Sequence, residues 1–206
     1  MRHFSTYFLV IGALCIFAGF LILAFTYYQL IGDELSYFLF HPNSQANVVS
    51  KFNHPRQQDI VPADEQFGIV IPKIRANNKV IANVDPFDEM TYQWALTKGV
   101  AHAKGSSLPY EKGTVFLFSH SSVNFYEAVK YNSIFYLLDK LKKGDTVYLF
   151  YKGTKYTYLV SGKTIVAPTN VSYLFEKTGN RLILMTCWPP GTTFRRLLVE
   201  AVLKNK

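Results

Sequence analysis

The stretch NRLILMTCWPPGTTFRRLLVE, Asn180 to Glu200, decides how this chain is read. Arg181 to Thr186 is a short apolar run that ends in a threonine and then Cys187. Trp188-Pro189-Pro190-Gly191 must stop any regular element, because proline removes a ladder donor and a Pro-Gly pair favours a turn. Phe194 to Leu203 is apolar again and begins with two arginines. A strand ending in a cysteine, a rigid loop and a second strand carrying guanidinium groups make a plausible thiol site. The competing reading is that Cys187 is a small buried hydrophobe, the common fate of a free cysteine. A base as well as a nucleophile is needed to decide between them.

With 206 residues, 49% hydrophobic and 16% aromatic, the chain can bury one substantial core. Its net charge of +8 and pI near 9.4 would suit nucleic acid. The lysines are scattered, however, and no nucleic-acid motif accompanies them, so a partner of that class is not expected. Proximity to anionic lipid or cell wall explains the balance equally well.

Phe4 to Gly32 carries no charged residue, and Tyr7 to Gly32 is nearly continuous apolar sequence. About 20 such residues cross a ~30 Å hydrocarbon layer as a helix, so residues 7–32 are expected to form a transmembrane signal anchor. Arg2 and His3 precede the span and Asp33 and Glu34 follow it, which places the amino terminus in the cytoplasm. Tyr27 and Tyr28 suit the outer interface. A cleavable signal peptide would have a shorter apolar core of ~7–15 residues and a small-x-small site behind it. Cys15 falls inside the span, which leaves Cys187 as the lone thiol of the external part. The expected organisation is an anchor over 1–32, an extracytoplasmic tether over 33–59 and one domain over 60–206. The protein would then be a single-pass protein of the cell membrane with that domain outside.

Strand signals dominate the domain. Phe67 to Ile74 and Lys79 to Val84 read as strands separated by a turn at Asn77-Asn78. Thr91 to Thr97 reads as a short helix, and Thr114 to Ser119 as an apolar strand led in by Gly113. Phe135, Leu138 and Leu141 at helical spacing predict a helix over Ser133–Lys143, stopped by Gly144-Asp145. Asp145 to Val160 reads as a hairpin about Lys152-Gly153. Many short strands with few helices point to a mainly β fold, a closed or nearly closed barrel.

Five histidines could supply the base. His3 is at the cytoplasmic end of the anchor, and His41 and His54 lie in the tether. His102 lies in the Gly-rich stretch Gly99–Gly105, read as a loop, where it is either structural or substrate-facing. His120 ends the strand Thr114–Ser119, a strand terminus like that of Cys187, and pairs best with it.

With His120, Cys187 and the arginines together, the chain resembles the sortases, membrane-anchored cysteine transpeptidases, over about 71–203. Ile71-Pro72-Lys73-Ile74 resembles the family's opening strand. Phe135-x-x-Leu138-x-x-Leu141-x-x-Gly144-Asp145 resembles its helix-to-strand junction. Phe118-Ser119-His120 resembles the strand ending in the catalytic histidine, where the family often has Gly at the position of Ser119. Leu184-Met185-Thr186-Cys187 matches the core of the Thr-Leu-x-Thr-Cys signature, with Ile183 in place of the leading Thr. Arg196-Leu197-Leu198-Val199 resembles the strand bearing the catalytic arginine. The order His120 before Cys187 is unlike papain-like proteases, which place the cysteine first.

The resemblance implies a sortase-like barrel and a catalytic set of Cys187, His120 and Arg196. It implies cleavage of an LPxTG-like signal through a thioacyl intermediate and transfer to an amine. The partners implied are exported proteins with a C-terminal sorting signal and an amine acceptor on a peptidoglycan precursor or pilin. No cofactor or metal is required; a regulatory Ca²⁺ on dispersed carboxylates, as in some sortases, stays open. The alternative is a catalytically silent anchored β-domain that binds or scaffolds envelope proteins.

Side chains on a strand alternate between its faces, which separates the two arginines. Arg195, Leu197, Val199, Ala201 and Leu203 form a set that is apolar after its arginine, so that face should meet the core. Phe194, Arg196, Leu198, Glu200 and Val202 should face the groove that Cys187 overlooks.

Overall fold

The computed structural model describes residues 11–24, 60–121, 134–171, 173 and 179–204. Two compact units, Met1–Asn53 and His54–Lys206, divide the chain. In the first, residues 11–24 are helical (α1) and exposed throughout. Among the described residues no helix is long and apolar enough to cross a membrane. The rest of the expected span, the tether over 33–59 and His3, His41 and His54 lie outside the described residues.

The second unit is an eight-stranded closed barrel. In chain order its strands are β1 (Phe67–Ile71), β2 (Ala76–Val84), β3 (Val100–Ala103), β4 (Gly113–Phe118), β5 (Thr146–Tyr151), β6 (Thr154–Val166), β7 (Asn180–Trp188) and β8 (Arg195–Leu203). Around the barrel they run β1-β2-β3-β4-β7-β8-β6-β5, with β5 closing on β1. β2 with β3 and β4 with β7 are parallel pairs, and the others are antiparallel. Closure leaves no free sheet edge.

Alternation along the strands builds two apolar layers. Val115 and Leu117 of β4, Leu182 and Leu184 of β7, and Leu197, Val199 and Ala201 of β8 point inward with Ile69, Val147 and Leu149. Phe135, Leu138 and Leu141 join this interior. The opposite faces carry Phe116 and Phe118, Ile183, and Leu198, packed with Ala95 and Leu96 of α2 (Glu89–Leu96) in an outer layer. β4 is therefore buried along its whole length, which explains its unbroken apolar sequence. The face assignment of β8 is the one expected from its parity.

Several local expectations need correction. The opening strand stops at Ile71, because Pro72 starts a 3₁₀ turn over Pro72–Ile74 and Arg75 sits in the left-handed region at φ 54°. That turn reverses the chain, so Asn77 and Asn78 are not a turn but lie inside β2. The Asn77 side chain instead accepts from Ala63 N–H (2.7 Å) and donates to the Val61 carbonyl (2.9 Å), tying down the chain before β1. Over 134–143 there is no α-helix: a turn leads into a 3₁₀ segment, Leu138–Lys140, while Ser133 lies outside the described residues. Eclipsed i, i+3 side chains of a 3₁₀ turn satisfy the Phe135/Leu138/Leu141 spacing as well as a helix would. The extended Leu141 ends that segment, and Gly144, at φ 92°, sits in the following turn, in which Asp145 N–H donates to the Lys142 carbonyl (3.0 Å).

Gly99–Gly105 is not simply a loop, since it contains β3. The hairpin about Lys152 and Gly153 is as expected, both residues having positive φ, and β6 runs on to Val166. α2 covers the short helix expected at Thr91–Thr97, shifted to begin where Asp88 caps it.

Candidate active site

The site residues are set by three adjacent strand ends. In the β7–β8 ladder Cys187 is the direct partner of Arg196, and Met185 of Leu198. Side chains of such partners share a face, with Cβ atoms about 4.5–5.5 Å apart. Cys187 and Arg196 thus lie side by side on the outer face, above Met185 and Leu198. β4 runs parallel to β7 with Phe118 opposite Met185. His120 follows Phe118 by two residues, just past the end of β4, as Cys187 follows Met185 on the neighbouring β7.

Two hydrogen bonds hold the end of β4 to β7. Ser119 N–H donates to the Met185 carbonyl (3.1 Å), and the buried Thr186 Oγ1–H donates to the Ser119 carbonyl (2.9 Å). The peptide just before His120 is therefore fixed by the residues just before Cys187. Thr186 acts here through its hydroxyl, a role that its place in an apolar run does not reveal. Cys187 itself is half-buried. Beyond it the chain turns at Pro189, where Thr192 bonds back to the Pro189 carbonyl through both N–H and hydroxyl. The far side of that turn orients the guanidinium: Arg196 Nη1 donates to the carbonyls of Thr193 (3.1 Å) and Arg195 (3.2 Å). Among the described residues no carboxylate pairs with Arg196.

His102 is not in this group. It is buried on β3, with its ring tilted over Phe67 at 5.6 Å. Nδ1 accepts from the Asn83 N–H (3.3 Å), so the ring proton belongs on Nε2, which faces the Ser107 carbonyl (3.1 Å) and Ser106 Oγ (2.9 Å). Asn83 sits at φ 58° where the β2–β3 register shifts, and the neutral imidazole satisfies its backbone donor. Burial pushes the His102 pKa down. This is a structural histidine, whereas His120 follows directly on the end of β4 beside β7.

Two tyrosines border the site. Tyr92, half-buried on α2, meets Phe118 edge-on (centroids 6.4 Å, 74°) and lies in the field of both Arg196 and Cys187. Tyr173 stacks on Phe116 (5.7 Å, 16°), points its hydroxyl at Met185 Sδ (3.9 Å) and feels Arg196 as well. Burial raises both phenol pKa values, with Glu89 adding to the effect at Tyr92, so both stay protonated donors at neutral pH. Nothing in the sequence marks either residue, because each reaches the site from outside the strands that carry the motifs.

Comparison with known proteins adds to this geometry. Residues 69–204 match the model of the Sortase domain family. Sortase D of Bacillus subtilis (strain 168) is 30% identical over 120 residues, 58% of this chain and 52% of that protein, so the chain spans about half the length of this curated relative. Among solved structures, sortase C-1 from Actinomyces oris aligns over 70% of this chain and 76% of its own (28% identity, TM-score 0.58). Sortase C1 of Streptococcus agalactiae aligns over 69% of each chain (27% identity, TM-score 0.57).

Proposed function

This chain belongs to the sortase family, and from that premise we propose that it is a membrane-anchored cysteine transpeptidase whose catalytic set is Cys187, His120 and Arg196. Members of the family are in general cysteine transpeptidases that anchor proteins or pilins. The observation that supports the reading most is the direct pairing of Cys187 with Arg196 beside the strand that leads to His120.

In this mechanism the Cys187 thiolate attacks the carbonyl carbon of a sorting-signal amide, and the C–N bond breaks to leave a thioacyl enzyme. His120, as imidazolium, gives its proton to the leaving amine. An incoming amine then attacks the acyl carbon, its proton passes to His120, and the C–S bond breaks with the electron pair returning to sulfur. Arg196 stabilises the oxyanion or holds the substrate backbone, a role suited to a permanently charged fork already oriented by Thr193. The substrates in this reading are exported proteins with an LPxTG-like C-terminal signal, and the acceptor is an amine of a peptidoglycan precursor or pilin. Residues 7–32 are the anchor, residues 33–59 the tether and 60–206 the catalytic domain outside the membrane. The helical, uncharged and exposed residues 11–24 suit a surface turned to lipid.

The test is transfer of a reporter peptide carrying an LPxTG-like signal to an added amine, with the thioacyl enzyme captured by mass spectrometry. Cys187→Ala is expected to fold and to give no product, and His120→Ala to be nearly inactive. Product formation by Cys187→Ala at a rate near that of the wild type would refute the reading. For topology, external protease on intact cells should release a fragment beginning within Asp33–Asp59; full protection of the domain would reverse the orientation.

A further inference from the structure

The transfer chemistry uses a thiol, an imidazole and a guanidinium, yet the same face offers two more donors. The Tyr173 hydroxyl lies at Met185, one strand step below Cys187. Tyr92 lies at Phe118, one step below His120. Both rings rest on the outer apolar layer with Leu198, one step below Arg196. α2 is pinned at both ends. Asp88 accepts from Met90 N–H, Thr91 N–H and Thr91 Oγ1–H, and Ala95 and Leu96 are buried in the outer layer. Arg196 donates to the Thr193 and Arg195 carbonyls, and Tyr173 to Met185 Sδ, but among the described residues no carboxylate pairs with this guanidinium, and two phenols lie in its field over an apolar floor. One net positive charge suits a monoanion, and the planar fork suits two oxygens in a plane. The apolar floor of Phe116, Phe118, Met185 and Leu198 disfavours a multiply charged, strongly hydrated phosphate.

We propose that Arg196, Tyr92 and Tyr173 form a carboxylate-recognition site beside Cys187. Its occupant is the carboxylate of an amino-acid-like amine acceptor, or the carboxylate left on the acyl chain when water releases it. The identity of these two sources rests on the transpeptidase reading; the site itself does not. In the first case the acceptor nitrogen bonds to the acyl carbon, the C–S bond breaks, the amine proton passes to His120, and the acceptor carboxylate stays unreacted as a handle. In the second, a water oxygen bonds to the acyl carbon, the C–S bond breaks with its electron pair returning to sulfur, one water proton passes to His120 and the other to solvent as the acid ionises, and the product carboxylate occupies the donors.

Alkylation of Cys187 by iodoacetate and by iodoacetamide tests the site without any turnover. The reagents differ in one carboxylate. Peptide mass mapping of the full chain reads Cys187 apart from Cys15, and high salt screens the overall charge of +8. The iodoacetate-to-iodoacetamide rate ratio should exceed that of N-acetylcysteine by about tenfold. Tyr92→Phe and Tyr173→Phe should each lower the ratio by about threefold, since each removes one donor to a charged group. Arg196→Gln should bring it to the free-thiol value, with Arg196→Met in its place should the Gln variant not fold. A wild-type ratio equal to that of N-acetylcysteine, or one unchanged in the double Tyr→Phe variant, would overturn the proposal. A second arm separates the sources by protection against iodoacetamide. Protection by glycylglycine but not N-acetylthreonine assigns the acceptor, the reverse assigns the hydrolysed chain, and protection by neither overturns the site. A chain that discriminates the two reagents but transfers nothing would refute the transpeptidase reading alone.

Discussion

Thr186→Val removes one hydroxyl and keeps the shape of the side chain, and its consequence can be worked out from one contact. Thr186 is 3% exposed, and its hydroxyl donates to the Ser119 carbonyl at 2.9 Å. Losing a donor to a buried carbonyl costs about 1–3 kcal/mol. The methyl that replaces the hydroxyl gains on the order of 0.8 kcal/mol by burial, so the loss wins by about 0.2–2 kcal/mol. For a chain of this size that is a fall in melting temperature of up to about 8 °C. Function should suffer more than stability, because the freed carbonyl belongs to the peptide that positions His120. A displacement of about 1 Å at a catalytic group costs up to about a hundredfold in rate, and a loss of about ten- to a hundredfold is expected. Thr186→Ser separates the two effects. It loses packing, and so some stability, but keeps the hydroxyl and with it most of the turnover. Thermal melting by circular dichroism and transfer of an LPxTG-like reporter peptide would be measured on all three proteins. Full turnover by the Val variant, or equal losses in the Val and Ser variants, would show that the Thr186–Ser119 bond does not position the histidine.

Arg196→Ala should lower turnover far more than Arg195→Ala with both proteins folded; a larger loss at Arg195 would place the wrong face of β8 in the site. His102→Gln should keep transfer activity while lowering the melting temperature, and equal inactivation of His102→Gln and His120→Ala would contradict the structural role of His102. The depressed His102 pKa also has a pH signature. Between the folded value and the unfolded value near 6.5 the unfolded chain binds more protons, so this contribution to stability is whole above about pH 6.5 and is lost as pH falls below it. Denaturant midpoints against pH should show that fall in the wild type and a smaller one in His102→Gln. Gly68→Ala should be destabilising by about 1–3 kcal/mol, because a Cβ there would stand 2.1 Å from the Asp64 carbonyl oxygen. The Asp64 side chain already holds the Gln66 and Phe67 N–H groups, so that backbone cannot give way. Gly162→Ala, with nothing within 4 Å, should be tolerated; similar midpoints for the two variants would refute the packing argument.

The site strands were legible because their signal is local. Apolar runs interrupted by Pro189-Pro190-Gly191, a cysteine at one end and a parity rule with period two suffice to place Cys187 and to choose Arg196 over Arg195. Local signals failed where a short segment satisfies two geometries. Asn77-Asn78 has turn residues, but Pro72 and Arg75 had already reversed the chain, and the Asn77 amide was free to bond Val61 and Ala63 instead. Phe135, Leu138 and Leu141 need only a shared face, which a 3₁₀ turn provides. β3 was hidden by its flanking glycines. Gly99 is there because any Cβ would meet the Lys79 carbonyl oxygen at 2.4 Å, so it marks strand contact rather than a loop.

What no local pattern carries is which residues from other elements arrive beside the thiol. Tyr92 and Tyr173 are separated from Cys187 by many residues, and neither sits in a motif. They reach it because β4, β7 and β8 present an apolar outer face, Phe116, Phe118, Ile183 and Leu198, that must be covered. Covering that face requires aromatic rings, and rings that end at the rim of a polar site are best supplied by residues with an apolar body and a polar tip. Phenylalanine at either position would cover the layer equally well. Beyond the Tyr173 contact with Met185 Sδ, covering the layer does not call for either hydroxyl, and it is as donors in the field of Arg196 that the carboxylate proposal uses them.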